Sequence, residues 1–166
     1  MAALEDVQIV NFTIGDVNYG VPVEQVREVR DVQAVTPVPG APSYVEGVTN
    51  LRGQIITVMD LRKRLSIEET EGGGQKIIVI EMGKAAVGVV VDSVTEVSTI
   101  DGKDIERHVQ ATKKLEKYIC GVGKQGDKLI VILDLAKIIS DSEDELPESE
   151  MASTQKSIKV EQIPAA

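Results

Sequence analysis

The chain has 166 residues and a formal net charge of −9, and it has no tryptophan, three tyrosines and one phenylalanine. Residues 141–166 hold seven acids and two lysines, so the remainder of the chain is only mildly acidic. Binding to a phosphate backbone needs clustered lysine and arginine, and single-stranded nucleic acid needs stacking aromatic residues. The composition therefore argues against nucleic acid and an anionic membrane as partners.

Cysteine usage and hydropathy favour a cytoplasmic location. Cys120 is the single cysteine, and the absence of a disulfide framework is typical of a reducing compartment. Residues 1–10 show no signal peptide, and the most apolar runs, residues 85–91 and 129–133, are too short to span a bilayer. We expect a cytoplasmic protein with no direct membrane insertion.

The first part of the chain predicts strands and short helical turns. Residues 7–14 and 19–23 predict a hairpin, because Gly15 and Asn18 lie in the intervening turn. Val26 and Val29, spaced by three, predict one helical turn with an apolar stripe. Residues 35–42 contain three prolines and predict a loop.

A buried strand and a capped helix follow. Residues 55–59 predict the strand and residues 61–65 the helix, with Asp60 as the helix N-cap. Residues 66–75, with three glutamates and three consecutive glycines, predict a flexible link. The pattern then starts again with a hairpin over residues 77–91.

The second part repeats the first in altered form. At a shift of 68 positions the recurring residues are Ile9, Gly15, Gly20, Val21, Val23, Val26, Glu28 and Val29, which return as Ile77, Gly83, Gly88, Val89, Val91, Val94, Glu96 and Val97. At a shift of 74 they are Tyr44, Gly47, Val48, Ile56, Asp60, Leu61 and Lys63, which return as Tyr118, Gly121, Val122, Ile130, Asp134, Leu135 and Lys137. Two copies of one β-rich unit of about five short strands predict a mainly β fold with two small barrels, since closure removes exposed strand edges.

The repeat also predicts the organisation of the chain. We assign residues 7–68 to the first barrel, residues 69–75 to the link and residues 76–140 to the second barrel. Residues 141–166 are rich in serine and acids and predict a flexible acidic tail.

Catalytic and metal chemistry find little support. Cys120 and His108 could form a nucleophilic pair, but a packed thiol and a surface histidine are the simpler interpretation. Two soft ligands cannot build a tetrahedral metal site. The Gly72–Gly73–Gly74 run lacks the strand, helix and hydroxyl of a phosphate-binding loop. We expect no enzyme activity, no metal and no cofactor.

One turn differs between the copies and is the candidate site. Residues 49–54 align with residues 123–128, where a generic polar turn suffices. The fold therefore does not demand Asn50 or Arg52. A guanidinium in a tight turn offers five donors to a carboxylate, and the nearest internal partner is Glu28. A surface ion pair of small value and a docking surface both remain open.

At these residues the chain resembles the CheW family. The resemblance rests on GVTNLRG at residues 47–53, the hairpin and turn at residues 19–29, and their counterparts at residues 87–94 and 118–135, and it covers about residues 7–140. It implies two five-stranded SH3-like barrels with a shared apolar interface. It also implies a non-catalytic cytoplasmic adaptor that couples chemoreceptor cytoplasmic tips to the regulatory domain of the histidine kinase CheA.

The resemblance further implies association with membrane receptor arrays through partners, and rings with other CheW-like domains. Carried over by position, the receptor-binding residues are Val26, Glu28, Arg52 and Val97. Val29 and Val94 complete the expected groove between the barrels, provided that they are not fully buried. Asn50, Leu51 and Gly53 join Arg52 in the signature turn as receptor or kinase contacts.

Overall fold

The computed structural model describes residues 5–68, 72–83, 85–109 and 113–145. Strands dominate, as the sequence predicts. In chain order the strands are β1 Val7–Ile14, β2 Val17–Pro22, β3 Val26–Asp31, β4 Val45–Leu51, β5 Gln54–Asp60, β6 Lys76–Met82, β7 Ala85–Val91, β8 Ser93–Ile100, β9 Ile105–Glu106, β10 Ile119–Gln125 and β11 Lys128–Leu133. The helices are α1 Leu61–Arg64, α2 Lys113–Glu116 and α3 Leu135–Glu145, with single 3-10 turns at Val23–Gln25 and Gly102–Asp104.

The strands form two sheets. Sheet A has six strands in the order β8-β1-β2-β11-β10-β9, and sheet B has five in the order β3-β6-β7-β5-β4. The expected mainly β fold with two small sheets is confirmed, although sheet A gains the two-residue strand β9. Closure of each sheet into a barrel stays a prediction.

The two halves of the sequence exchange strands, so the predicted assignment of residues 7–68 and 76–140 to separate barrels is wrong. Sheet A joins β1 and β2 to β8, β10 and β11, while sheet B joins β6 and β7 to β3, β4 and β5. The repeat maps one sheet onto the other, because β8, β1, β2, β11 and β10 are the counterparts of β3, β6, β7, β5 and β4. Each sheet thus takes one hairpin, β1–β2 or β6–β7, from one copy and its remaining repeat-related strands from the other copy.

The exchange produces three apolar clusters. The central core contains residues of both sheets and of helices α1 and α3, including Phe12, Ile78 and Ile138. A second cluster lies within sheet B and a third within sheet A. Successive residues of β1 enter different clusters, since Ile9 belongs to the sheet A cluster and Val10 to the central core. Burial of both sheet faces explains the nearly continuous Val/Ile runs.

The predicted helical turn over Val26 and Val29 is wrong, although the predicted apolar stripe is present. A 3-10 turn occupies Val23–Gln25, and both valines lie on strand β3. Strand β3 carries a bulge at Arg27, and β8 carries one at the equivalent Thr95. A bulge inserts one residue, so valines three positions apart face the same side of a strand. The two-residue period of a strand plus the one bulged residue gives a spacing of three, which is also a spacing along one face of a helix.

The predicted helix after Asp60 and its N-cap are confirmed, and the second copy of the unit has a helix with the equivalent cap. The Asp60 carboxylate accepts from the Arg62 amide at 2.9 Å, and the Asp134 carboxylate accepts from the Lys137 amide at 3.0 Å. The predicted start of the flexible tail is wrong, because Asp141–Glu145 belong to α3. Ser142 is buried there and accepts from Arg64 Nε at 2.5 Å. Residues 146–166 lie outside the described residues.

Candidate functional site

The turn between β4 and β5 holds an arginine in an unusual backbone conformation. Arg52 has φ of 53° and Gly53 has φ of 82°, so both central residues of the two-residue turn are left-handed. This is the geometry of a type I′ turn, in which Asn-Gly is the favoured pair. A residue other than glycine, asparagine or aspartate is uncommon at the first position, and the left-handed backbone there costs such a residue about 1 kcal/mol.

The neighbours of Arg52 have structural roles that the sequence comparison missed. The Asn50 Oδ1 accepts from the Gly53 amide at 2.9 Å and closes the turn. Leu51 is buried in the sheet B cluster, and Gly53 meets the requirement for positive φ. The inference that the fold does not demand Asn50 was therefore wrong. The second copy uses another turn, with Gly126 at φ of 62° followed by Asp127, and so places no demand on the aligned Lys124.

Arg52 joins a small ion network, as predicted. Its Nη2 lies 3.5 Å from Glu28 Oε1, and Arg30 Nη1 donates to the same oxygen at 3.1 Å. The Glu28 side chain is 18% exposed, whereas that of Arg52 is 75% exposed. Glu28 therefore anchors one side of a guanidinium whose remaining donors face solvent. A surface pair of this kind contributes little to stability.

An open depression surrounds this network. It is lined by Glu28, Val29, Arg30, Asp31, Gln33, Arg52 and Lys76. The predicted residues Glu28, Val29 and Arg52 are thus brought together. Sequence reasoning missed Arg30, Asp31, Gln33 and Lys76. Lys76 meets Asp31 through the pairing of β3 with β6, which local patterns do not reveal. The charge alternation on residues 27–31 was the available signal.

The four predicted valines continue the inner faces of the sheets. Val26 and Val29 lie opposite Ile80 and Ile78 of β6, and Val94 and Val97 lie opposite Phe12 and Val10 of β1. All four partners belong to the central core. Strands β3 and β8 are edge strands, so the core approaches the surface along both.

None of the four valines is fully buried. Val26 and Val94 pack partly buried against the central core, while Val29 is 39% exposed and Val97 is 54% exposed. The condition for groove walls is therefore met. Val97, on sheet A, does not line the depression beside Arg52.

The described residues offer no support for catalysis by Cys120 and His108. Burial, followed by the charge of Asp134, raises the pKa of the Cys120 thiol, which opposes formation of the nucleophilic thiolate. His108 lines a shallow cavity with Arg107, Val109, Glu116 and Ile119. Within the described ranges no three potential ligands are placed to hold a metal ion. No helix there is long and apolar enough to cross a membrane.

Comparison with known proteins identifies the family. The family model for the CheW-like domain matches residues 8–143, which include both sheets and the Arg52 turn. The chain belongs to the CheW-like family.

Individual CheW-like relatives match over most of their own length. The chain is 32% identical to chemotaxis protein CheW of Treponema pallidum, with 84% of this chain and 85% of that protein covered. It is 34% identical to chemotaxis protein CheW of Thermotoga maritima, with 84% and 91% covered. The crystal structure of the scaffolding protein TtCheW from Thermoanaerobacter tengcongensis matches with a TM-score of 0.72 and 35% identity, covering 80% of this chain and 86% of that one.

These relatives decide the class of function. This CheW-like protein is a chemotaxis adaptor, a scaffolding protein and not an enzyme. The described site combines exposed aliphatic side chains with an arginine held by Glu28.

Proposed function

We propose that this protein couples the cytoplasmic tips of chemoreceptors to the regulatory domain of the histidine kinase CheA. It acts in the cytoplasm and joins membrane receptor arrays through its partners. The observation that carries the proposal is Arg52, a largely exposed arginine kept in a left-handed turn conformation that glycine or asparagine would occupy more easily. Backbone strain that does not serve the fold is a feature of functional sites.

The receptor side of this adaptor consists of the four valines and the Glu28–Arg52 network. A receptor tip is helical, and an amphipathic helix binds an apolar groove through aliphatic anchors at its centre. Val26, Val29, Val94 and Val97 supply the apolar walls, since they extend the central core to the edges of both sheets. Arg52 supplies a directional donor at the rim, where a partner carboxylate or a helix C-terminal carbonyl would accept.

The remaining surface is available to the kinase and to other CheW-like domains. The two sheets are related by the internal repeat, so each presents a similar end to a neighbour. Two similar but non-identical contacts on one molecule allow head-to-tail association, which closes into a ring when the rotation permits. Asn50 and Gly53 shape the turn that presents Arg52, and Leu51 anchors that turn in the core.

The test is a three-component pull-down with the Arg52→Glu variant, a receptor tip fragment and the kinase regulatory domain. We expect receptor recovery to fall by at least about tenfold, because the donor becomes an acceptor beside Glu28. Binding of the kinase domain alone should stay unchanged. The matched control is Lys124→Glu, which reverses an exposed cation at the equivalent hairpin of the second copy.

Unchanged recovery of the receptor with Arg52→Glu would remove this surface from the receptor site. An equal loss with Lys124→Glu would show that net charge, and not the position of Arg52, controls assembly.

A further inference from the structure

The glycine-rich stretch between the two copies is anchored where the structure describes it. Residues 72–75 follow the undescribed residues 69–71 and lead into β6. The Gln75 side chain donates to the carbonyls of Gly72 and Gly73 at 3.1 and 3.3 Å and folds the stretch on itself. These four residues lie within the predicted flexible link and are hydrogen-bonded to the fold, and we call them the glycine brace.

The glycine brace touches the ends of both edge strands. The Val32 amide, directly after β3, donates to the Gln75 carbonyl at 3.1 Å. The Gly74 amide donates to Asp92 Oδ1 at 2.8 Å, and Asp92 directly precedes β8. One short segment is thus bonded to the two strands that carry the four valines.

Asp92 is the main joint of this arrangement. Its other oxygen accepts from the Gly15 amide at 2.7 Å, in the hairpin turn of sheet A. Its Oδ1 also lies 3.5 Å from Arg62 Nη1 of helix α1. Arg62 is buried and in turn donates to Asp60 at 2.8 and 3.0 Å. A carboxylate held by two backbone amides and a guanidinium fixes the start of β8 relative to sheet B.

The contacts explain why glycines stand in the brace. A Cβ on Gly73 would lie 2.3 Å from Asp92 Oδ1, and a Cβ on Gly74 would lie 2.7 Å from Arg62 Nη2. Gly72 has a left-handed φ of 76°, but a Cβ there would meet nothing within 4 Å. Close contact with Asp92 or Arg62 therefore disfavours a Cβ at two of the three glycines, whereas the backbone angle alone disfavours one at Gly72.

We propose that the glycine brace and Asp92 are positioning elements of the receptor site, which set the relative placement of β3 and β8. This inference rests on the proposed function, because it assigns the four valines to one partner helix. The brace makes no contact with that partner. It acts by holding the two walls at the separation that the helix requires, as pre-organised binding surfaces do.

The test compares Gly74→Ala with Gly72→Ala in the full chain. Both substitutions place a Cβ at a positive φ, but only the first presses on Arg62. We expect Gly74→Ala to weaken binding of the receptor tip fragment about tenfold, measured by calorimetry, with Gly72→Ala within about twofold of the unmodified protein. Affinity for the kinase domain should be the same in both variants, which a general loss of folding would not allow.

Asp92→Asn provides a second variant, which keeps the size of the side chain and removes the charge at the joint. We expect a similar selective loss of receptor affinity. Relative to the unmodified protein, hydrogen exchange should also become faster at the β8 amides by more than at the β10 amides. Equal receptor affinity in Gly72→Ala, Gly74→Ala and Asp92→Asn would overturn the inference, as would a parallel loss of kinase affinity.

Arg52→Glu and Val97→Asp separate this result from failure of the proposed function. If both abolish receptor binding while the brace variants do not, the site stands and the brace has no positioning role. If neither changes receptor binding, the proposed site itself fails.

Discussion

The two equivalent hairpins, β4–β5 and β10–β11, solve the same folding problem in different ways. The β10–β11 hairpin has Gly126 at the first turn position, where glycine adopts a left-handed φ without strain. The β4–β5 hairpin places Arg52 there, anchored by Glu28 and largely open to solvent. One sequence unit thus appears twice in the same protein, once with an easily formed turn and once with a strained one. The difference teaches that the strain is not required for a hairpin at this position, so a different requirement maintains it.

The largest effect concerns the first strands of these hairpins, β4 and β10. Gly47 has φ of 143° and a Cβ there would lie 2.0 Å from the Thr36 carbonyl oxygen, whereas a Cβ at Gly121 would lie 2.8 Å from Ile105 Cγ2 and 3.0 Å from the Glu106 carbonyl oxygen. The overlap with backbone is therefore much deeper at Gly47, and of the two glycines only Gly47 has a left-handed φ. We expect Gly47→Ala to lower the free energy of unfolding by at least about 3 kcal/mol, and Gly121→Ala by about half as much. Urea denaturation of both variants measures the difference. Equal losses would mean that the two strands tolerate an added Cβ equally.

A medium effect isolates the cost of the Arg52 turn. Asparagine tolerates the left-handed region and is favoured at the first position of a type I′ turn. We expect Arg52→Asn to raise the free energy of unfolding by about 0.5–1 kcal/mol while weakening receptor binding. Gly126→Asn is the matched change in the second hairpin and should not raise stability. A loss of stability in Arg52→Asn would show that the Glu28 ion pair outweighs the backbone strain.

The smallest effect concerns the bulged residues, Arg27 in β3 and Thr95 in β8. The Arg27 guanidinium donates to both Glu81 oxygens, at 2.5 and 2.9 Å, and this hydrogen bonding lowers the pKa of Glu81. A carboxyl group whose pKa is lowered in the folded state stabilises the protein above its ordinary pKa of 4.5. This stabilisation is lost as the pH falls through the folded-state pKa.

We therefore expect Glu81→Gln to flatten the decline of stability below pH 4.5, most clearly at low salt. Thermal unfolding across this acid range provides the measurement. Thr95→Val should leave the acid dependence as it is, because this bulge has no such pair. An unchanged acid profile in Glu81→Gln would mean that the exposed pair is too screened to matter.

Local chemistry made much of the fold predictable. The hairpins, the strands after them and the helices capped by Asp60 and Asp134 follow from turn residues and N-cap chemistry. The ion pair of Arg52 with Glu28 was also predictable, since a guanidinium in this turn favours a carboxylate and Glu28 was the nearest internal candidate. These features depend on short segments and on alignment of the chain with itself.

Features that depend on distant pairing, on a bulge or on the type of a turn were not predictable. The valine spacing reported the apolar side of β3 correctly, but a bulge and a helical turn give the same spacing. The role of Asn50 depends on a turn type that the second copy does not share. The exchange of strands left no trace in the repeat, because a strand has the same pattern of faces whichever copy it pairs with.

That exchange has a consequence for how the chain folds. Sheet A cannot form when its first two strands have been made, since β1 and β2 require β8 and β11, which come roughly a hundred residues later. Until then the first hairpin has unpaired edges. Pairings of such long range slow folding and prolong the exposure of strand edges to other chains. The duplicated architecture therefore has an order of completion, because all strands of sheet B are present once Val91 has been made, whereas sheet A waits for Leu133.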